Sequence, residues 1–151
     1  MMKALRRTVE NGRDKAYNVI HFSLLKFYGE YTPQFYERTK QILNSLVKSE
    51  VVSTGNGYEA IVYVDLGRLN HPKFRRYQRY CENPRKSGNL KTYYIERKWS
   101  EDQILDSVML DGSHGQSNPG TAVWVESMAE LDVEFLGFLK KELIRNGIPV
   151  R

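Results

Sequence analysis

The sequence predicts an α+β fold: an antiparallel sheet of about four strands, N-terminal and C-terminal helices packed on that sheet, and a long hairpin or loop insertion. Three observations support this prediction. Apolar residues recur at helical spacing near both ends of the chain, β-favouring runs lie between them, and the links are short. With 151 residues, 40% of them hydrophobic, we expect a single domain spanning 1–151.

The first helix is predicted over residues 16–28, where apolar residues lie three and four positions apart. Upstream, Asn11-Gly12 predicts a break or frayed turn. Gly29 is expected to end the helix in a left-handed conformation. Thr32-Pro33 then predicts the start of a second helix, which runs through Leu46, because proline at the first helical position loses no hydrogen bond.

Two strands are predicted over residues 48–53 and 58–65. The turn at 54–57 contains Asn-Gly, which favours a hairpin because both residues tolerate positive φ. In the second strand both alternating sets of residues are apolar, so we expect part of it to be buried on both sides. Further strands are predicted over 91–99, around a Thr-Tyr-Tyr-Ile run, and over 121–126.

Serine residues mark the two remaining helix starts. Ser100 is expected to cap a short helix with acids in its first turn, running to about Leu110. Ser127 is expected to cap the final helix, with Glu130 completing a capping box. That helix has apolar residues at helical spacing until Asn146-Gly147 ends it.

Composition excludes several protein classes. Cys81 is the only cysteine, so neither an intramolecular disulfide nor a thiolate metal cluster can form. The N-terminus is charged and lacks an apolar signal core, and no apolar run approaches the roughly 20 residues that span a bilayer. We therefore expect a soluble protein, intracellular at synthesis, without contact with a membrane.

Positive charge is concentrated in residues 73–98, which we call the basic segment. Nine Lys and Arg stand against two Glu there, so its net charge is +7 in a chain of +5. Interleaved aromatic residues favour a surface that binds single-stranded nucleic acid or a phosphate backbone. The same pattern fits a long hairpin packed on a neighbouring subunit, or a solvated charged loop. The candidate interface or DNA-facing residues are Arg75, Arg76, Tyr77, Arg79, Tyr80, Arg85, Lys86, Tyr93 and Tyr94.

Patterns for catalysis or metal binding are weak. His21 is expected to be a packed or surface histidine, and His71 has only Asp65 nearby as a second metal ligand. His114, in a glycine-flanked loop after Asp111, fits either a general base or a tight surface turn. We therefore predict no enzyme, no catalytic residues, no cofactor and no metal.

Several short stretches occur in an order that resembles a known family. They are the run YGEYTPQFYERT at 28–39, Ile42-Leu43-Asn44-Ser45, the glycine-rich hairpin, Val62-Tyr63-Val64-Asp65, Ile104-Leu105, His114-Gly115, Trp124 and Gly147-Ile148-Pro149. In this order they resemble the minor structural proteins at the head–tail junction of long-tailed bacteriophages, a family of neck and tail-completion proteins. The likeness covers most of the chain except the basic insertion around 73–91.

The resemblance implies a non-enzymatic virion protein that is assembled in the host cytoplasm. It implies a homo-oligomeric ring, six-fold, between the portal or its connector adaptor and the tail-tube proteins, with passing contact with genomic DNA. The alternative is a small basic nucleic-acid-binding protein, with or without a nuclease activity using Asp65, His71, Asp111 or His114.

Overall fold

Helices lie near both ends of the chain, with short strands and one long two-stranded ribbon between them. The computed structural model describes residues 1–30, 40–69, 73–81, 90–98, 100–110, 112 and 122–150, with 73–81 and 90–98 described by their backbone. In chain order the elements are α1 (Met2–Gly29), α2 (Gln41–Ser45), β1 (Leu46–Lys48), β2 (Val52–Thr54), β3 (Gly57–Glu59), β4 (Val62–Val64), a 3₁₀ helix (Leu66–Arg68), β5 (Lys73–Cys81), β6 (Leu90–Lys98), α3 (Glu101–Met109) and α4 (Val123–Arg145). The α+β class is confirmed.

The first helix is longer than predicted. α1 is continuous over 28 residues, so the break predicted at Asn11-Gly12 is wrong. Gly12 is buried against α4, where an added Cβ would lie 2.9 Å from Cδ2 of Leu139. The glycine weakens the helix locally but lets the two helices approach closely. α1 ends at Gly29 as predicted, although that residue has no positive φ.

α4 packs along α1 in the antiparallel direction. Lys26, near the end of α1, pairs with Glu126 near the start of α4 at 3.0 Å. At the other end, the amide of Asn146 donates to the hydroxyl of Thr8 over 3.1 Å. The C-terminal helix therefore covers α1, whereas it was predicted to pack on the sheet, and it is α1 that contacts β1, β3 and β4.

The four short strands form two antiparallel pairs, β1 with β4 and β2 with β3, instead of one four-stranded sheet. Both pairs belong to one hairpin that turns at Gly55-Asn56, inside the predicted turn. Between the pairs, residues 49–51 oppose only residues 60–61, and the extra residue makes a β-bulge. Ser49 bridges the bulge: its N–H donates to the carbonyl of Ile61 (2.8 Å), and its hydroxyl accepts from the N–H of Ile61 (2.9 Å).

The hairpin buries one of its faces. Val62 and Val64 pack against the core, whereas Ile61 and Tyr63 are about half exposed, at 58% and 49%. The predicted burial of this strand on both sides is wrong. The reason is that α1 covers one face, and no layer within the described parts of the chain covers the other.

The core lies where α1, α2, the hairpin, α3 and α4 meet. Leu24, Ile42 and Val123 are the most deeply buried apolar side chains. The second helix is found over Gln41–Ser45, after Lys40 in a left-handed conformation with φ of 52°. A continuous helix cannot pass through such a residue, and the predicted start at Thr32-Pro33 lies outside the described residues.

Ser100 and Ser127 have different roles. Ser100 caps α3 as predicted: its hydroxyl accepts from the N–H of Gln103 (3.2 Å), and the Gln103 side chain accepts from the N–H of Ser100 (3.1 Å). α4 already begins at Val123, so the strand predicted over 121–126 and the cap predicted at Ser127 are both wrong. Ser127 is buried inside the helix, and its hydroxyl donates to the carbonyl of Val123 at 2.7 Å.

The C-terminal end of α4 is where the sequence predicts it. Gly147 has a φ of 80°, and its N–H donates to the carbonyl of Ile144 over 2.9 Å. The N–H of Ile148 donates to the carbonyl of Leu143 over 2.8 Å. These two bonds form a Schellman motif, which satisfies carbonyl groups that the helix leaves unpaired.

Asp14 joins α1 to the hairpin by hydrogen bonds from Lys48 (2.8 Å) and from its neighbour Arg13 (2.9 Å). The hydrogen bond from Lys48 is the main reason that the pKa of Asp14 is lowered from its ordinary value of 3.8. A carboxyl with a lowered pKa in the folded state stabilises the fold above its unfolded-state pKa, and this contribution is lost as the pH falls through the folded-state value. Because the side chain is 40% exposed, we expect the contribution to be at most about 1 kcal/mol.

Asp14→Asn should therefore lower the free energy of unfolding slightly at pH 7, and its difference from the wild type should disappear as the pH falls below 3.8. Urea denaturation at several pH values measures this, with the exposed Glu59→Gln as the control. A difference that persists at low pH contradicts the assignment.

Candidate functional site

β5 and β6 form an antiparallel ribbon that spans most of the basic segment. The pairing runs from Lys73 opposite Lys98 to Cys81 opposite Leu90 without a bulge. Nine residues per strand correspond to a length of roughly 30 Å. Each strand pairs with the other and with no further strand among the described residues. The insertion that the sequence predicts as a hairpin or loop thus contains a long two-stranded ladder.

The register divides the candidate residues between two faces of this ribbon, because alternate residues of a strand belong to opposite faces. The first face has Arg75, Tyr77, Arg79 and Tyr94. The second face has Arg76, Tyr80 and Tyr93. Arg85 and Lys86 lie outside the described residues. The backbone therefore does not bring all the predicted site residues onto one face.

Both faces of the ribbon are basic. The first has Lys73, Arg75, Arg79 and Lys98 against Glu96, and the second has Arg76, Lys91 and Arg97, so each has a net charge of +3. Only Arg75 has an acidic residue, Glu96, directly opposite in the register. A ribbon that packs on its own domain ordinarily has one apolar face. Neither face here has that composition, so the ribbon is suited to contacts with other molecules.

The residues considered for catalysis or metal binding do not form a site in the described parts of the chain. His21 stacks on Tyr17 with ring centroids 5.6 Å apart, in agreement with a packed histidine. Asp65 caps the 3₁₀ helix, accepting from the N–H of Gly67 (3.1 Å) and pairing with Arg68 (3.0 Å). Within the described residues, no three His, Cys, Asp or Glu are placed to hold a metal ion. His71, Asp111 and His114 lie outside those residues.

An open polar groove of about 360 Å³ lies between α1 and the C-terminal half of α4. Its lining residues are Asn11, Asp14, Lys15, Asn18, Phe138, Glu142 and Arg145. Glu142 is buried, accepts from the amide of Asn11 and pairs with Arg145 at 3.4 Å. Lys15 pairs with Glu134 at 3.0 Å, and this hydrogen bond is the main reason that the pKa of Lys15 is raised. The hydrogen bond of Asn11 with Glu142 and the ion pair of Lys15 with Glu134 thus link α1 to α4 along this groove.

A second surface was not predicted from the sequence. α4 has an apolar stripe on the side that faces away from α1, which we call the α4 stripe: Val125, Ala129, Val133, Leu136 and Ile144. Its large side chains are 59% (Val125), 83% (Val133), 69% (Leu136) and 61% (Ile144) exposed. The signal in the sequence is a helix with apolar residues on two sides, only one of which its own fold can bury. Neither α4 nor any other helix in the described ranges is long and apolar enough to cross a membrane.

Comparisons with protein-family models, with curated protein sequences and with solved structures find no match to this chain. The resemblance to phage neck proteins therefore stays a prediction from the sequence. The two surfaces on which a function can be argued are the basic ribbon and the α4 stripe.

Proposed function

We propose that the chain is a non-enzymatic structural subunit of the neck of a long-tailed bacteriophage. In the virion it forms a homo-oligomeric ring that joins the head, through the portal connector, to the tail, as a tail-completion or tail-terminator protein. One observation carries this proposal: a long ribbon that pairs with no other described strand and has cations on both faces.

An isolated two-stranded ribbon is only marginally stable in water and needs further packing. In the proposed ring, the ribbon is an arm that lies on the neighbouring subunit. Tyr77, Tyr80, Tyr93 and Tyr94 supply apolar area with a hydroxyl that can stay hydrated, which suits an interface. The chain outside the basic segment has a net charge of −2, so the neighbour attracts the arm rather than repelling it.

The two-sided charge also fits the centre of such a ring. When the arm packs on the neighbouring subunit through one face, its other face stays exposed, and that face has a net charge of +3. Genomic DNA passing through the ring meets that face by contacts between cations and phosphates, which are independent of base sequence. A head-to-tail contact of this kind closes into a ring only if the rotation between neighbours closes.

The direct test replaces Arg75, Arg76, Arg79, Arg85 and Lys86 by serine. We expect the ring to be lost in native mass measurements with the other subunit contacts unchanged, and phage carrying this variant to lose infectivity. The control replaces the exposed cations Lys3, Arg6, Arg7 and Lys40 by serine and should assemble normally. Normal assembly and infectivity of the first variant contradict the proposal.

A second candidate is a small basic nucleic-acid-binding protein, with or without nuclease activity. A two-stranded ribbon fits the major groove of B-DNA, which is about 12 Å wide. Binding through phosphates weakens steeply and linearly on a log–log plot as salt rises, whereas a ring held by buried aromatic contacts is much less sensitive. Subunit mass and DNA affinity measured over a salt series separate the two candidates.

A further inference from the structure

We infer that the free subunit forms a two-fold dimer through an antiparallel contact between the α4 stripes of two copies, centred between Glu134 and Phe135. The occupant of this exposed apolar surface is therefore a second copy of the same chain. Spacing, charge and one glycine of α4 each support this.

The spacing of the α4 stripe is symmetric about its centre. Val125 and Ile144 are equally far from the midpoint between residues 134 and 135, and so are Val133 and Leu136. In an antiparallel helix pair centred there, Val125 faces Ile144 of the second copy and Val133 faces its Leu136. The four large exposed apolar residues thus meet one another, as a two-fold contact between identical surfaces requires, and Ala129 faces Lys140, whose aliphatic part can cover it.

The unpaired charges of α4 are complementary in the same arrangement. Its acidic N-terminal half is largely paired with α1, through Glu126 with Lys26 and Glu134 with Lys15. Exposed Asp132 and the exposed Lys140 and Lys141 have no ion pair within the part of the chain that the structure describes. In the antiparallel pair, Asp132 of one copy lies one helical turn along the contact from Lys140 of the other. Opposite charges therefore meet twice across the two-fold axis.

Gly137 lies beside the proposed centre. Glycine in the middle of a helix is destabilising, and at Gly12 this cost is offset by the close approach of Leu139. A Cβ added at Gly137 would meet nothing within 4 Å in its own chain. A second helix passing close to this position would make use of the missing side chain in the same way.

This dimer is distinct from the proposed ring. A two-fold contact uses the same surface on both copies and closes on itself, so it does not extend into a ring. It covers the exposed apolar side chains of the free subunit, which otherwise favour nonspecific association.

The first test compares Leu136→Glu with Ile61→Glu, which places the same charge on an exposed apolar residue of the hairpin. Both changes are made in the ribbon variant described above, which cannot form the ring. Sedimentation equilibrium over a range of concentrations should give dimers for that variant with or without Ile61→Glu, and monomers when it carries Leu136→Glu. A ribbon variant that stays monomeric at all concentrations overturns the inference, and so do equal masses with Leu136→Glu and with Ile61→Glu. The variant with the five serine substitutions in the ribbon should keep the dimer. Loss of the ring in that variant therefore does not contradict the inferred dimer.

The second test fixes the direction of the helices. Two chains are mixed, one with Val125→Cys and one with Ile144→Cys, each also carrying Cys81→Ser. Mild oxidation should link one chain of each kind, while neither chain should link to itself. Links between identical chains indicate parallel helices and overturn the antiparallel arrangement, and the absence of any link overturns the contact.

Discussion

Leu24→Ala should lower the free energy of unfolding by about 3 kcal/mol, within the roughly 2 to 5 kcal/mol found for such core truncations. Leu24 is fully buried, with 0% of its surface exposed, in the cluster that α1 shares with α2, α3 and α4. The truncation removes apolar contacts and leaves a cavity that the surrounding helices cannot fully close. For a chain of this length, the melting temperature should fall by roughly 6 to 12 °C.

The adjacent Leu25→Ala is the matched control for Leu24→Ala. It is the same substitution in the same helical turn, at a side chain that is 44% exposed. Because alanine and leucine have similar helix propensities, this change should cost well under about 1 kcal/mol. Thermal unfolding followed by circular dichroism measures both variants, and equal losses would mean that the face of α1 assigned to the core is wrong.

Gly12→Val should destabilise the fold by about 1 to 3 kcal/mol, although it improves the intrinsic helix propensity of the position. The new side chain enters the space where Cδ2 of Leu139 lies 2.9 Å, and Cζ of Phe135 3.5 Å, from the ideal Cβ position. α1 and α4 then have to move apart, which weakens their whole contact. Denaturant unfolding in a background that carries both Leu136→Glu and the five serine substitutions of the ribbon measures this without interference from self-association.

Two further variants show whether the cost of Gly12→Val arises at the contact with α4. Asn18→Val places the same β-branched residue at an exposed position of α1 and should change the stability by less than about 0.5 kcal/mol. Combining Gly12→Val with Leu139→Ala should cost less than the two changes added together, since the second relieves the clash caused by the first. If the stability costs of the two changes were strictly additive, the cost of Gly12→Val would not arise from its contact with Leu139.

The features that the sequence predicts correctly are those set by local chemistry. The cap of α3 needs only a serine at Ser100 and the backbone N–H three residues later, and the end of α4 needs a glycine in a left-handed conformation at Gly147. Turn chemistry likewise places the hairpin at 54–57. In each case the residues that make the contact are neighbours in the sequence, so their types alone indicate the structure.

The incorrect predictions concern residues whose structure depends on distant parts of the chain. Gly12 suggests a break until its contact with Leu139 is known. Val123, Trp124 and Val125 favour a strand by their side chains, but burial of Val123 in the core keeps them helical. Ser127 has the residue pattern of a cap, yet it lies in the helix and bonds to the carbonyl four residues before it.

The candidate site was predicted in part. The concentration of charge in residues 73–98 is visible in the sequence, as are the aromatic residues within it. Their division between two faces follows from the register of β5 and β6, which the residue pattern alone does not specify. The α4 stripe was missed because a helix with apolar residues on two sides gives no indication of which side its own fold covers.

Because α1 is synthesised long before α4, their antiparallel contact has a consequence for folding during synthesis. About 90 residues separate the end of α1 from the start of α4, and at roughly 5 to 20 residues per second the ribosome takes roughly 5 to 20 s to synthesise them. During that interval the surface of α1 around Gly12 has no partner. The nascent chain is therefore a candidate for chaperone binding until its last helix emerges, and a translational pause before residue 123 should lengthen that exposure.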